Sequence, residues 1–594
     1  MANMPFSLSL PIDVVKRLII TLRAVPHAVV ATLVLAFVLL LISSLLAVPA
    51  GIYAWQRPTL LNYLSLAFTI GLFVAAGLLI RSRVLLIAFG LIVLVLNLIE
   101  IVSLVSFGGL ISLGGVEAIL YVDPHEAREF VVEHIAVIGL GLLIVPLFIG
   151  LVLLKGRVDR LRTTPRLLCA AAVTLLPASL FTAELVRTGS PDDIYLPTRV
   201  VEHYVAYLGA NPLTSTISGI ATAVAAQQEF EALRITRANF RFTAEESARA
   251  GRQIYVVVVG ESSRRRNWGL YGYGRDTTPH LLGQSGLITF RNVISPATVT
   301  SLSLPQSFYF ASQSREGQPQ IAKSFVSAFR AAGFKTFWLS NQGTHRSAVG
   351  NQIGVLMQEA DTVRTTNYGF WNSVLDGVLL AEFDRAIQDP AERKLVIVHT
   401  LGSHTIYGQR YPAEWRALPL HPPAHEVHTN TKLSPPDAEA IDDYDRSIRY
   451  TDWLLNEFIS RMKQLDQDGA MVYFSDHGQR LIDDPSHVKG HGYSDFKPYD
   501  VEIPLIVWTS DRFSASHPDK LAAMVDNRCK RVSTVDLAAS MLDLAAIKVS
   551  PIDPAPSFFG PHYQIGPRRV LLINHRFEQY DNNDRAVPAP APGC

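Results

Sequence analysis

The stretch QIYVVVVGESSRRR (residues 253–266) decides the fold of the larger part of this chain. Its first seven residues are mostly apolar and rich in β-branched side chains, a pattern typical of a parallel strand that is buried on both faces. Glu261 follows directly after the closing Gly260. Since ligands of open α/β sheets gather beyond the carboxyl ends of the strands, we expect Glu261 to lie at the functional edge of a sheet.

Two further apolar runs end in the same way. AMVYF (residues 470–474) precedes Asp476 and His477, and LVIVHTLGSH (residues 395–404) ends on an imidazole. If these runs are parallel strands of one sheet, their polar residues meet Glu261 at the same edge. Carboxylates together with imidazole form a ligand set well suited to zinc. The sequence therefore predicts one metal site, built from segments that are distant along the chain.

Each motif alone also has a simpler interpretation. A Gly-Glu-Ser sequence after a strand is often a turn, and an Asp-His-Gly sequence can be a helix-capping turn. Three strand ends that all carry acidic or imidazole side chains are harder to explain as coincidence. We therefore favour the metal site over three separate turns.

The first third of the chain has a different character. The protein has 594 residues and a mean hydropathy of +0.21, which is high for a soluble enzyme. The excess comes from five apolar stretches, each about long enough to cross a bilayer. They are Ala28 to Val48, Leu60 to Ile80, Val84 to Ser106, Ile135 to Leu154 and Leu167 to Leu185. A cleaved signal peptide would be shorter and would not be followed by four more such stretches.

The charges between these stretches predict an orientation. Basic residues lie next to those ends of the spans that share one side of the membrane. The positive-inside rule places that side in the cytoplasm. These basic residues are Lys16, Arg17, Arg23, Arg81, Arg83, Lys155, Arg157, Arg160, Arg162 and Arg166. The loop of residues 107–134 is acidic instead and belongs outside. We therefore expect a multi-pass protein of the bacterial inner membrane, with a cytoplasmic amino terminus and everything after Leu185 in the periplasm.

Charge and cysteine content exclude other classes. The net charge is +1, and the soluble part contains no basic stripe with interleaved aromatic residues, so we expect no nucleic acid partner. The chain has three cysteines, of which Cys169 lies in the fifth span. At most one intrachain disulfide is possible outside the membrane, and the soluble part must be held together by its hydrophobic core.

These patterns predict four regions. Residues 1–187 form a transmembrane domain with five helices, and residues 188–250 form a connector with membrane-proximal helices. Residues 251–575 alternate apolar strands with helical patterns, which predicts an α/β/α domain with a mainly parallel sheet. Within it, residues 438–462 are expected to form a long amphipathic helix and residues 501–508 another strand. Residues 585–594 are rich in Pro and Ala, and residues 576–594 are predicted to be a disordered tail.

Five motifs, in this order, resemble those of the membrane-bound phosphoethanolamine transferases, which belong to the alkaline phosphatase and sulfatase superfamily. They are VVVGESSRRRNWGLYGYGRDTTPHL (residues 257–281), SPATVTSLSLPQSF (295–308), LGSHTIYGQRYP (401–412), FSDHGQR (474–480) and KGHGY (489–493). Together with the five spans, the resemblance extends over essentially the whole chain. It implies an alkaline phosphatase/sulfatase-like fold for residues 251–575.

The resemblance also implies roles for single residues. Glu261, Asp476 and His477 would bind one or two Zn²⁺ ions, and Thr298 would be both a ligand and the catalytic nucleophile. His404 and His491 would handle the substrate, although either histidine can instead be structural. The residues proposed to contact the substrate are Glu126, Arg264, Asn267 and His345.

The residues alone do not single out Thr298. It lies among other hydroxyl side chains, any of which can cap a helix. These are Ser295, Thr300, Ser301 and Ser303. Ser262, beside Glu261, is a competing nucleophile.

The implied reaction is a transfer of phosphoethanolamine from phosphatidylethanolamine to lipopolysaccharide, on lipid A or a core sugar, through a covalent phosphoethanolamine-threonine. The donor lipid, the acceptor and the inner membrane would be the partners of a monomeric protein. Alternatives on the same fold are phosphoglycerol transfer and sulfatase-type or phosphatase-type hydrolysis. A non-catalytic binding protein is a further alternative, and a transporter is disfavoured because the spans contain few polar residues.

Overall fold

The computed structural model describes two compact units, one containing the long apolar helices and the other containing the sheet. The described residues are 27–56, 58–107, 128, 131–132, 134–159, 161–188, 231, 234–245, 251–310, 322–342, 352–366, 374–428, 432–483, 489–493, 495–551, 556–564, 566–573 and 576–581.

The first unit is helical. Its helices are α1 (His27–Leu46), α2 (Val48–Gln56), α3 (Leu60–Leu79), α4 (Arg83–Phe107), α5 (Ile135–Val158) and α6 (Thr163–Thr188). Within the described residues, all but α2 are long and apolar enough to cross a membrane, which gives five candidate spans. Large apolar side chains on these helices are exposed, including Leu33, Leu143 and Leu175. Such a surface fits a hydrocarbon environment rather than water.

Basic side chains that were predicted to mark one set of span ends contact one another's helices in this unit. Arg166 donates to Leu78 O at 2.6 Å and pairs with Asp159 at 2.8 Å, and Lys155 donates to Ile80 O at 3.1 Å. These side chains therefore satisfy carbonyl groups at and just beyond the carboxyl end of α3, where no further helical turn supplies N–H donors.

The second unit is built on a seven-stranded sheet with the order β3-β11-β8-β2-β7-β5-β6. Its strands are β2 (Gln253–Gly260), β3 (Leu287–Phe290), β5 (Lys335–Ser340), β6 (Thr362–Thr365), β7 (Arg393–His399), β8 (Asp468–Ser475) and β11 (Leu505–Thr509). β2 pairs in parallel with both β7 and β8, whereas β11 is antiparallel to β8 and β3. The predicted mainly parallel sheet is therefore confirmed.

Short strands complete the unit. They are β1 (Thr243–Glu245), β4 (Val293–Ile294), β9 (Arg480–Leu481), β10 (Lys489–Gly490), β12 (Val532–Ser533), β13 (Lys548–Ser550), β14 (Arg569–Leu571) and β15 (Phe577–Gln579). β1 pairs with β13, so a strand occurs in the connector, where only helices were expected. β4 pairs with β12, β9 with β10 and β14 with β15. β15 lies within residues 576–594, where a disordered tail was predicted.

Helices cover both faces of the sheet. They are α7 (Pro279–Leu282), α8 (Thr300–Phe308), α9 (Phe325–Ala331), α10 (Gln352–Met357), α11 (Leu379–Ile387), α12 (Ala424–Val427), α13 (Pro435–Lys463), α14 (Asp511–Ser516), α15 (Pro518–Asn527) and α16 (Leu537–Leu544). Single 3₁₀ turns occupy Arg265–Asn267, Gly269–Tyr271, Asp376–Val378, Tyr407–Gln409, Ala413–Ala417, Pro498–Asp500 and Thr534–Asp536.

The alternation of side chains along β2 explains why its sequence is apolar throughout. Tyr255 and Val257 belong to the core on one face, and Val256 and Val258 belong to the core on the other. The long helix α13 packs on the second face and begins with a capping box formed by Ser434 and Asp437. Because the cores on both faces of the sheet are covered by helices, the carboxyl ends of the parallel strands are where a functional site can form.

Candidate metal and catalytic site

Three polar side chains meet where β2 and β8 end. Glu261 follows β2, and Asp476 and His477 follow β8, which is the neighbouring parallel strand. All three are completely or almost completely buried, and their ligand atoms lie within 4.8 Å of one another. The structure thus brings together the three residues that the sequence predicted at one edge.

Backbone contacts fix this cluster. The N–H of Asp476 donates to Gly260 O at 3.0 Å, and the N–H of Ser262 donates to the Asp476 carboxylate at 3.0 Å. His477 Nδ1 lies 2.8 Å from the carbonyl oxygen of Gly478. Because a carbonyl only accepts hydrogen bonds, Nδ1 carries a proton toward Gly478 O, and Nε2 is the ring atom that faces the carboxylates.

The electrostatics of the cluster favour positive charge. Burial opposes ionisation of Glu261, but the neighbouring His477 holds the pKa of Glu261 well below its usual value. Burial raises the pKa of Asp476, and the charge of Glu261 adds to this effect. Burial alone would lower the pKa of His477, yet the Asp476 and Glu261 carboxylates raise it to about 9. The two carboxylates therefore stabilise a proton on the imidazole. A metal cation held by the same three side chains would balance the negative charge of the carboxylates in place of that proton.

Thr300, and not Thr298, contacts this cluster. The Thr300 hydroxyl lies 2.6 Å from Asp476 Oδ2, 3.1 Å from Glu261 Oε2 and 3.4 Å from His477 Nε2. Thr298 is completely buried, and within the described part of the chain its hydroxyl has no hydrogen-bond partner.

The register of this segment explains the difference. Thr300 is the first residue of α8, and Val299 before it is extended. The Ser303 hydroxyl, one turn later, donates to the backbone carbonyl of Asp476. That bond holds the start of α8 against the strand end, so that its first residue faces the carboxylates. The interpretation of Thr298 as a ligand and nucleophile therefore does not fit this geometry, and Thr300 replaces it in the proposals below.

Two more side chains complete the surroundings of Glu261. The Ser262 hydroxyl donates to Glu261 Oε1 at 2.7 Å, and Ser262 has a positive φ of 53°. Gln342 donates from its amide to Glu261 Oε2 at 3.1 Å and to Thr400 O at 2.9 Å. Sequence reasoning missed Gln342, although it follows β5 at the same edge as the other residues. Its position after a fourth parallel strand is the signal that could have found it.

His404 and His491 lie beside the cluster. The His491 ring is 4.1 Å from the His477 ring and 6.2 Å from the His404 ring, measured between centroids. His491 Nδ1 is 3.0 Å from Gln479 Oε1. Burial and the nearby His477 hold the pKa of His491 well below its usual value, so this imidazole is neutral at ordinary pH. Both imidazoles therefore lie beside the candidate metal ligands, and their role with the substrate stays a prediction.

Arg264 and Asn267 do not contact the cluster. The Arg264 guanidinium is almost completely buried and pairs with Asp483 at 2.7 Å, and its Nε contacts the Asn267 side chain. Asn267 in turn donates to Asp445 at 2.6 Å. Both side chains are therefore engaged in an internal network, and their contact with the substrate stays a prediction. Glu126 and His345, the other two predicted substrate contacts, lie outside the described residues.

The loop that carries His404 is held close to Glu261 by Gly402. Gly402 has a φ of 49°, and its N–H donates to the buried carboxylate of Asp376 at 2.8 Å. The next residue, Ser403, donates its N–H to Glu261 O at 2.9 Å. A Cβ on Gly402 would lie 2.8 Å from both the N and O atoms of Glu261. Only glycine fits this contact between two backbones.

Gly402→Ala is therefore expected to displace the loop from Glu261 and to lower activity by roughly 10- to 100-fold, since a displacement of about 1 Å at a reacting site has an effect of that order. Gly333→Ala is the matched control, because Gly333 has a φ of 84° but nothing within 4 Å of the added Cβ. Activity and bound zinc should be measured for both purified variants. Equal activities would show that the close approach at Gly402 is unimportant.

Known proteins resemble both units. The profile of the family described as Sulfatase matches residues 253–547. Phosphoethanolamine transferase EptC of Escherichia coli O18:K1:H7 (strain RS218) is 32% identical over 335 residues, which are 55% of this chain and 56% of that protein. The chain thus matches only about half the length of the curated relative.

Solved structures extend the comparison. The C-terminal periplasmic domain of EptC from Escherichia coli, in complex with Zn, is 30% identical with a TM-score of 0.51, and the match covers 57% of this chain and 95% of that domain. The lipooligosaccharide phosphoethanolamine transferase EptA from Neisseria meningitidis is an integral membrane protein with 18% identity and a TM-score of 0.63, covering 86% of this chain and 95% of that one. This second likeness confirms the fold of a helical membrane domain joined to a sulfatase-like domain.

Fold and site together define a member of the alkaline phosphatase superfamily. More narrowly, the chain belongs to the sulfatase family, in the group of the phosphoethanolamine transferases EptA, EptC and CptA. The family predicted from the five sequence motifs is therefore confirmed.

Proposed function

We propose that this chain transfers phosphoethanolamine from phosphatidylethanolamine to an acceptor on lipopolysaccharide, either lipid A or a core sugar. Its family supports the proposal, and so does one observation above all. The hydroxyl of Thr300 lies against two buried carboxylates and a buried imidazole. A metal-activated nucleophile needs this arrangement, because a threonine hydroxyl is a weak nucleophile at neutral pH.

The donor set fits zinc. Glu261, Asp476 and His477 offer two carboxylate oxygens and one imidazole nitrogen, and Thr300 offers a fourth oxygen. Zinc favours four such ligands, with imidazole fixed in orientation by a second hydrogen bond, which Gly478 O supplies here. When bound, zinc lowers the pKa of a coordinated hydroxyl and withdraws charge from phosphoryl oxygens.

The residues of the site support a transfer in two steps. The Thr300 oxygen bonds to phosphorus while the bond from phosphorus to the glycerol oxygen breaks. His491, whose ring lies 4.1 Å from the His477 ring, is the proposed acceptor of the threonine proton and returns it to the departing diacylglycerol. The oxygen of an acceptor hydroxyl then bonds to the same phosphorus while the bond from phosphorus to the Thr300 oxygen breaks, and the acceptor's proton passes through His491 to Thr300. The amino end of α8 adds the positive end of a helix dipole next to the charge that develops on Thr300.

The five apolar helices would hold the site close to its lipid donor. With the basic ends of the spans in the cytoplasm, the amino terminus is cytoplasmic and the sheet unit lies in the periplasm of a bacterium. The solved sulfatase-like domain of EptC is likewise a periplasmic domain. The inner membrane is then both the anchor of the protein and the source of phosphatidylethanolamine.

Mass spectrometry of lipopolysaccharide, separated into lipid A and core, tests the proposal. Cells that express the chain are expected to carry added phosphoethanolamine on one of the two fractions, and cells without it are not. Labelling the ethanolamine or the glycerol head group of the donor lipids distinguishes this reaction from phosphoglycerol transfer. Release of free ethanolamine phosphate with an unmodified acceptor would identify a hydrolase and overturn the proposal.

A further inference from the structure

The carboxyl-terminal part of the described chain forms a hairpin of β14 and β15, in which Leu571 pairs with Phe577. This hairpin lies beyond residues 253–547, the part that the Sulfatase profile matches. It also lies outside the seven-stranded sheet. It therefore forms a small sheet of its own, separate from the strands that carry the metal ligands, and its contacts indicate what it does.

The hairpin contacts the segment directly before Thr300. The N–H of Leu571 donates to Pro296 O at 2.7 Å, and Leu571 forms a parallel bridge with Ala297. Ile573, just after β14, and Val299 both lie next to Gly492. A Cβ on Gly492 would lie 3.1 Å from Val299 Cγ1 and 3.4 Å from Ile573 Cδ1. The hairpin thus supports the loop before the nucleophile and the loop that carries His491.

Apolar packing reinforces these contacts. Val570, Leu572 and Tyr580 of the hairpin segment form one buried cluster with Ile294, Phe496 and Val501. Ile294 ends β4, which leads into the segment before Thr300. Tyr580 also donates from its hydroxyl to Glu502 at 2.8 Å. Close packing of these buried side chains links the position of the hairpin to that of β4.

Arg568 fixes the hairpin to the strands beneath it. Its side chain is 1% exposed, and it donates to Asn292 O at 2.9 Å and to Val532 O at 3.2 Å. The same guanidinium pairs with Asp581 at 2.8 Å and lies over the Tyr580 ring. One residue therefore joins both ends of the hairpin to the start of β4 and β12, a contact that needs the planar, multi-donor group of arginine.

We propose that the hairpin of β14 and β15 positions the Thr300 hydroxyl, and that Arg568 is the positioning residue that fixes the hairpin. The segment from Ser295 to Val299 is held from one side by Asp476, through the Ser295 hydroxyl, and from the other by Leu571. Without the second contact, the start of α8 gains freedom relative to the metal ligands. This inference rests on the proposed function, since the position of Thr300 matters to a rate only if Thr300 reacts.

Arg568→Gln in the full-length protein tests the proposal, with Arg569→Gln as the matched control. Arg569 is the next arginine in sequence and lies over Phe577, within the hairpin itself. For Arg568→Gln we expect kcat to fall about 10- to 100-fold with KM nearly unchanged, because a misplaced nucleophile affects the chemical step. Bound zinc should stay at the wild-type level. Arg568→Lys should recover part of the rate, because lysine keeps the charge but not the fork of donors.

Hydrogen exchange separates this proposal from the proposed reaction. Amides of residues 295–303 should exchange faster in Arg568→Gln than in the wild-type protein, while those of β2 and β8 should not change. If the wild-type protein transfers no phosphoethanolamine, the proposed function fails, and the exchange experiment still decides the positioning role. Unchanged exchange or an unchanged kcat overturns the positioning role. A parallel loss of zinc and of thermal stability also overturns it, since Arg568 would then only support the fold.

Discussion

Thr300→Ala is expected to abolish phosphoethanolamine transfer, whereas Thr298→Ala is expected to keep a rate close to that of the wild-type protein. The two threonines are separated by one residue, yet only Thr300 lies within hydrogen-bond distance of the Asp476 carboxylate, at 2.6 Å. Removing a covalent nucleophile lowers the rate by at least about 10³-fold, because the residual reaction depends on the surrounding groups alone. Thr300→Ser keeps a hydroxyl and should retain an intermediate rate.

The measurement that separates the two threonines is detection of the covalent intermediate. The protein is incubated with phosphatidylethanolamine, digested and analysed by mass spectrometry for a phosphoethanolamine group on the peptide that contains residues 295–308. The modification should be present in the wild-type protein and in Thr298→Ala, and absent from Thr300→Ala. A modified Thr300→Ala peptide would return the role of nucleophile to Thr298 or another hydroxyl.

Asp476→Asn is expected to remove zinc and activity together. The amide keeps the shape of the side chain but lacks the negative charge that a dication requires from its ligands. A bound metal ion contributes several kcal/mol to a reaction of this kind, so activity should fall by roughly 10³-fold. Zinc bound after dialysis should be measured alongside activity. Treatment of the wild-type protein with a chelator should have the same effect, and added zinc should reverse it.

Asp452→Asn is the control for this change. Asp452 is also completely buried, but its carboxylate accepts the N–H groups of His280 and Leu281 at the start of α7. Its replacement is expected to lower stability and leave the zinc content unchanged. Full zinc binding by Asp476→Asn would contradict the assignment of the metal ligands. Loss of zinc from both variants would show that the zinc is lost because the protein misfolds, and not because a ligand is missing.

The sequence predicted the sheet edge well because the signal is local. A strand that is buried on both faces has a continuous apolar sequence. The first polar residues after it lie at the carboxyl edge of the sheet, as Glu261 and Asp476 do. The direction of a strand has no such signal. The run that ends at Trp508 resembles the others, but β11 is antiparallel to its neighbours. Direction is set by which strands pair, a tertiary property that an apolar run does not encode.

The choice between Thr298 and Thr300 was beyond sequence reasoning for a related reason. The segment of residues 295–303 contains several hydroxyl side chains, and each is a reasonable helix cap. The start of α8 is fixed by contacts with residues distant in sequence, chiefly the bond from Ser303 to Asp476 O. Gln342 was missed because an amide is not a typical zinc ligand. Its part is to donate to Glu261, which only the folded chain reveals.

The contact of Leu571 with Pro296 has a practical consequence for expressing this protein. A shortened protein that stops at residue 547, where the Sulfatase profile ends, would contain Glu261, Thr300, Asp476 and His477. It would nevertheless lack β14 and β15, and with them Val570, Leu572 and Tyr580, which are half of the buried cluster around Ile294. If the hairpin has the positioning role proposed above, such a fragment is a poor starting material for inhibitor screening, because compounds would be selected against a displaced loop before Thr300.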